Sequence, residues 1–111
     1  VNGDGLDFSY STVDIEDAEV YNIGDKGISV GERSKVNIKN LKVENAIIGV
    51  ASKDSSNVYL NGGRFVKVEI PLTTYIKKLI FSEPTLLAND VKYSLSGNNF
   101  AAKNTTLTVR N

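Results

Sequence analysis

Glu32 and Asp54 stand 22 residues apart, and Asp4, Asp7 and Asp25 form a second acidic group near the start of the chain. If 22 residues make one turn of a wound chain, Glu32 and Asp54 lie on neighbouring turns about 5 Å apart. Two carboxylates at that spacing suit a retaining glycosidase or a Ca²⁺ site. Arg33, Lys35 and Lys53 surround them in sequence and would keep both acids charged. A general acid needs the opposite environment, so a surface salt network is the favoured reading. Near the start, Asp4 and Lys26 occupy corresponding positions one turn apart and are expected to pair. Asp7 faces outward if Leu6 and Phe8 face in, with Ser29 above it on the next turn. That patch suits a sugar or a cation, or is a charge-balanced solvated face. Among the exposed tyrosines, Tyr75 follows Lys53 by one period, and such rings stack on sugars or fill interfaces. The candidate ligand-binding set is Asp7, Asp25, Lys26, Glu32, Lys53, Asp54 and Tyr75. No catalytic residue, metal ligand or cofactor is assigned.

Composition removes several chemistries. The 111 residues contain no Cys, His, Met or Trp. Without Cys there is no disulfide framework, thiolate nucleophile or Cys-based zinc site. Without His, the usual general base of hydrolases and the usual transition-metal ligand are both missing. Thirteen basic and thirteen acidic residues cancel, so no global field draws in nucleic acid or an anionic membrane. No apolar run approaches the ~20 residues of a membrane helix. The chain begins at Val1 with no signal-peptide pattern, which reads as a piece of a longer protein whose targeting segment lies elsewhere.

Positioning these groups falls to an internal repeat. Gly5, Gly27 and Gly49 recur every 22 residues, and Leu6, Ile28, Val50 and Leu72 follow them at the same interval. Val13, Val36 and Val58 form a second apolar column, Ile15, Ile38 and Leu60 a third, and Val20, Val43 and Phe65 a fourth. Alternation with period two within each row marks short strands buried on one face. Asp17, Asn40 and Gly62 form a column suited to a left-handed corner. Ser11, Ser34 and Ser56 form another, whose hydroxyls are expected to stack. One coil cannot bury its apolar face alone, so the coils must stack in parallel. The predicted fold is all-β, a right-handed single-stranded parallel β-helix of four to five coils of roughly 22 residues. Residues 5–68 form regular coils. Residues 69–93 form a coil with an insertion near Ile76–Pro84, which is expected to fold over one side or mark a partner surface. Residues 94–111 form a partial coil or cap.

The segments Asp4–Ser11, Gly24–Glu32 and Ile48–Ser55 resemble the pectin-lyase-like family of parallel β-helix proteins. They are most similar to bacterial β-helix repeats of large surface or polysaccharide-related proteins. The resemblance spans residues 3–68 and implies the fold. Polygalacturonase-like members carry catalytic acids in a D-G-x-D element and a G-D-D element. Asp4-Gly5-Leu6-Asp7 looks like the first. In Gly24-Asp25-Lys26-Gly27, Lys26 stands where that family has an acid, and the family's Gly-His-Gly has no counterpart. No catalytic role is carried over.

The expected function is a non-catalytic segment of a larger bacterial surface or secreted protein, at the cell surface or outside the cell. It would serve as a rigid scaffold or carbohydrate-interaction surface, with a polysaccharide and neighbouring coils of its parent as partners. One alternative is part of a polysaccharide lyase or glycoside hydrolase with an incomplete active site. Another is a homo-oligomerising module, because an uncapped first coil, Leu6 to Ile23, would tend to stack end to end.

Overall fold

Four columns that alternate apolar and polar residues can be buried together only if like positions lie above one another. The computed structural model describes residues 3–111 and winds them into a parallel β-solenoid of about five turns. Its strands are β1 (Leu6–Ser9), β2 (Thr12–Gly31), β3 (Lys35–Lys53), β4 (Asn57–Tyr75), β5 (Thr85–Ser94), β6 (Phe100–Ala101) and β7 (Thr106–Arg110). They pair in the order β1-β2-β3-β4-β5-β7, with β6 also on β4, and every pairing is parallel. The long strands β2, β3 and β4 each bend around most of a turn. Their stacked segments make three faces: the first contains residues 6–9, 28–31, 50–53 and 72–75. The second runs through 12–16 and its partners, and the third through 18–21 and its partners.

Register follows the predicted columns. Leu6 pairs with Ile28, Ile28 with Val50 and Val50 with Leu72. Val13, Val36, Val58, Leu86 and Leu107 form one ladder through five coils. Ile28, Val36, Val43, Val50, Val58, Phe65 and Leu72 are wholly buried. Each such side chain contributes roughly 1.5–3 kcal/mol on leaving water. The first coil is less covered: Leu6 is exposed, and Phe8, Val13, Ile15 and Val20 are only partly buried. Ile23 departs from that expectation and is buried, because its Cδ1 packs beneath Gly5.

Corners require backbone that most residues avoid. Asp17, Asn40, Gly62 and Asp90 all have positive φ, between 54° and 84°. This extends the predicted corner column by one member. Asn and Asp tolerate that region because their short polar side chains bond locally. Here they also bond along the stack, Asn40 Nδ2 donating to Asp17 Oδ1 at 3.0 Å. A second left-handed column comprises Asn22, Asn45, Lys67 and Leu95. The serine column behaves differently from expectation. Ser34 Oγ accepts the Ser11 N–H, and Ser56 Oγ donates to the Val30 carbonyl. The column's hydroxyls thus serve backbone groups, and Ser56 Oγ also meets Ser52 Oγ at 2.8 Å, instead of bonding one another up the stack.

The glycine column has a steric cause. A Cβ on Gly27 would lie 2.8 Å from the Gly49 carbonyl oxygen, and one on Gly49 would lie 2.3 Å from that of Pro71. Each glycine thus admits the carbonyl of the coil above. At Pro71 the arrangement changes, since the neighbouring Leu72 N–H is taken by the Asn99 side chain.

Between Tyr75 and Thr85 the chain leaves the stack and returns in register, Val58 pairing with Leu86. Phe81 tucks back, with its ring 6.3 Å from that of Tyr10 and the Arg33 guanidinium 5.6 Å from its centre. Leu79 and Ile80 stay exposed, so only part of the insertion folds over the side. The C-terminal β7 is a strand of the fifth coil.

Candidate functional site

Side chains at Asp7, Ser29, Ala51 and Thr73 lie in one register column of the first face. Their neighbours Ile28, Val30, Val50 and Leu72 belong to the core, so alternation turns this column outward. An outward column would ordinarily be wet. Ser29 and Ala51 are nevertheless fully buried and Thr73 nearly so. Two positions further along the same face, Gly31, Lys53 and Tyr75 are stacked. Lys53 lies against Gly31, where a Cβ would meet its Cε at 3.3 Å. Lys53 therefore lies back over the glycine of the coil below.

Charge collects around this cover. Lys26 Nζ is 2.8 Å from Asp25 Oδ2 and 3.6 Å from Asp4 Oδ1, the pairing between coils that the sequence predicts. The Lys26 N–H also donates to Asp4 Oδ1. Burial opposes the charge on Lys26. The Asp25 hydrogen bond, with the fields of Tyr75, Asp4 and Asp25, outweighs it and raises the pKa. Tyr75 is pushed up by burial and by Asp25, Asp4 and Asp54, against Lys26, so its hydroxyl keeps its proton. Groups on the first two coils act on a tyrosine of the fourth.

Lys53 has the opposite fate. Burial lowers its pKa, and Lys26 and Lys77 add repulsion that Asp7 and Asp4 only partly offset. The residue is 8% exposed, and among the described residues its ammonium forms no ion pair or hydrogen bond. On the coil below, in register with Ala51, Ser29 Oγ is a buried polar atom without a partner. A buried hydroxyl in that state ordinarily costs about 1–3 kcal/mol.

Of the seven candidates, Asp7, Lys53 and Tyr75 thus stand on the first face, and Asp25 and Lys26 lie just before it on the second coil. Glu32 and Asp54 serve another purpose. Asp54 Oδ1 accepts the backbone N–H groups of Lys77 and Lys78 at 2.7 and 2.9 Å, anchoring the insertion. Glu32 Oε1 accepts from Ser9 and lies 3.4 Å from Lys78 Nζ. The spacing of the two acids is that of a solenoid turn, and their partners are loop groups. Asp54→Ala is expected to free the insertion, with tryptic cleavage after Lys77 and Lys78 rising about tenfold for two lost charge-assisted bonds. Timed limited proteolysis of the two proteins checks this.

Sequence reasoning missed Ser29 as an unsatisfied group and also missed two open grooves. One, of about 400 Å³, crosses the Asp17–Asn40–Gly62 corner between Glu19, Lys42 and Arg64. The other, of about 310 Å³, lies on the second face between Asp14, Asn37 and Tyr59. Both are lined by side chains that water can satisfy, so neither carries the unmet demand found at Ser29. Among the described residues, no group of three potential ligands could hold a metal ion. No family model matches the chain, and neither a curated protein nor a solved structure matches it.

Proposed function

We propose that this chain is a non-catalytic segment of a pectin-lyase-like β-helix in a bacterial surface or secreted protein, and that its first face binds a carbohydrate. The observation that carries the reading is that Asp7, Lys53 and Tyr75 stand on this face, with the Asp4–Lys26–Asp25 ion group at its entry and a buried, unpartnered Ser29 hydroxyl in the Asp7 column. Carboxylates, ammonium groups and hydroxyls on a rigid backbone match the donors and acceptors of a sugar, and a tyrosine supplies an apolar edge. Stacked coils fix these groups without cost at binding, since parallel ladders set their spacing.

On a glycan array that includes acidic and neutral polysaccharides, the labelled chain is expected to give signal that falls about tenfold in Tyr75→Ala, the size of an interface anchor. Glu32→Ala and Tyr59→Ala, away from the face, should retain it. Hydrolysis or elimination of a bound polysaccharide would overturn the non-catalytic reading, and equal signal from Tyr75→Ala would overturn the choice of face.

A second reading, end-to-end assembly, is favoured by the ladders themselves. One runs Glu16, Lys39, Asn61, Asn89, Arg110, acidic at one end of the stack and basic at the other. The parallel apolar ladder runs from partly buried Val13 to partly buried Leu107. Opposite ends of such a stack are complementary in charge and in apolar pattern. Concentration-dependent assembly with no glycan signal would replace the first reading by this one.

A further inference from the structure

Exposed turns are ordinarily built from Gly, Pro, Asn, Asp and Ser. The turn at the tip of the insertion is built from Leu79 and Ile80, and the Phe81 N–H closes it on the Lys78 carbonyl at 3.1 Å. Leu79 is 95% exposed and Ile80 84%, the highest values for large hydrophobic side chains among the described residues. Neither has positive φ, so the backbone does not dictate their type. The core does not dictate it either, since neither belongs to the buried cluster.

A slack loop hides such residues by collapsing, but this one is held out. Asp54 Oδ1 fixes the Lys77 and Lys78 N–H groups at its start. At its end, Ser55 and Ser82 are joined by bonds of 2.7, 2.8 and 2.9 Å. Phe81 anchors it from below against Tyr10 and Arg33. The tip is thus ordered before anything binds, which lowers the entropic cost of contact.

Charge around the turn narrows the partner. Lys77, Lys78 and Arg33 are exposed beside it. Of the nearby acids, Asp54 is buried under the loop amides and Glu32 lies 3.4 Å from Lys78, which leaves Glu83 exposed. Tyr10, exposed beside Phe81, adds an amphipathic ring. A convex apolar tip above cations and a tyrosine suits the headgroup boundary of a bilayer.

We propose that the Leu79–Ile80 turn is a lipid-contact site that dips into one leaflet of an anionic bilayer, with Lys77, Lys78 and Arg33 meeting the headgroups. The chain's net charge of zero supplies no long-range attraction, so the contact is local. No helix among the described residues is long and apolar enough to cross a membrane, and the turn needs none. Two aliphatic side chains bury less than the single acyl chain that anchors a protein only marginally, so binding is weak and reversible. The site lies on the corner between the first and second faces and is independent of the carbohydrate reading.

The test is cosedimentation of the whole chain with vesicles of phosphatidylglycerol and phosphatidylcholine, at millimolar lipid, against vesicles of phosphatidylcholine alone. The mixed vesicles should bind the chain, and Leu79→Ser with Ile80→Ser should weaken that binding about tenfold. Lys77→Gln with Lys78→Gln should weaken it severalfold, as should high salt. These positions are all exposed, and circular dichroism checks that the fold is kept. Leu95→Ser is the matched control and should bind undiminished, since Leu95 is 80% exposed at a different corner. The chain has no Trp, so Leu79→Trp supplies a single reporter whose emission should shift to the blue on the mixed vesicles.

Failure to bind the mixed vesicles would overturn the site, as would undiminished binding by Leu79→Ser with Ile80→Ser. Equal binding to neutral vesicles would remove the role of the lysines and the anionic assignment with it. An equal loss in Leu95→Ser would sink the proposal by showing that any exposed leucine serves. If the paired serine changes instead abolish a dimer seen without lipid by sedimentation velocity, the occupant is a second copy and the lipid assignment falls.

Discussion

Gly49→Ala is expected to lower stability by about 3 kcal/mol, the upper end of what one added methyl usually costs in a packed interior. The new Cβ would lie 2.3 Å from the Pro71 carbonyl oxygen and 2.5 Å from Phe65 Cε1. Neither can withdraw cheaply. The carbonyl belongs to the next coil's backbone, and the ring is fully buried. Gly31→Ala is the matched control, because its Cβ would meet only the flexible Lys53 side chain. That change should cost under about 1 kcal/mol. Urea denaturation followed by circular dichroism compares the two, and similar midpoints would refute the close-approach explanation of the glycine column.

Phe65→Ala should be larger still, about 3–5 kcal/mol, from lost transfer energy and the cavity left behind. Phe65 is the bulkiest fully buried side chain among the described residues. It stacks on Tyr93, with ring centres 6.0 Å apart, so its loss also unseats the coil above. The stack has no hub that could compensate, since each coil touches chiefly its neighbours. A domain of this size is typically stable by 5–15 kcal/mol in all. The variant is therefore expected to unfold at much lower urea, and a loss below about 1 kcal/mol would mean that the interior can close over the gap.

The apolar columns were legible in the sequence because burial on one side forces period two, and stacking forces like residues into register. The corner at Asp17, Asn40 and Gly62 was legible for a related reason, since few residues accept positive φ. Its companion was not. Asn22 and Asn45 signal a left-handed corner, but Lys67 and Leu95 adopt the same conformation without a compositional mark. There the surrounding stack imposes what propensity would refuse.

The candidate face was partly legible. One-turn spacing placed Asp4 against Lys26 and Tyr75 above Lys53, and both relations hold. Lys53 as a nearly buried cation was not foreseeable, because it lies back against Gly31 of the coil below. Side-chain direction along the axis leaves no trace in residue spacing. The same limit applies to Glu32 and Asp54, whose partners come from an insertion outside the repeat.

From Val36 to Val58 is 22 residues, and from Val58 to Leu86 is 28, yet both steps are a single rung of one ladder. The stack counts turns and is indifferent to how much chain is spent between them. Loop length at the Tyr75–Thr85 corner is accordingly a free coordinate, and sequence added or removed there changes what the flank displays while every rung above keeps its place.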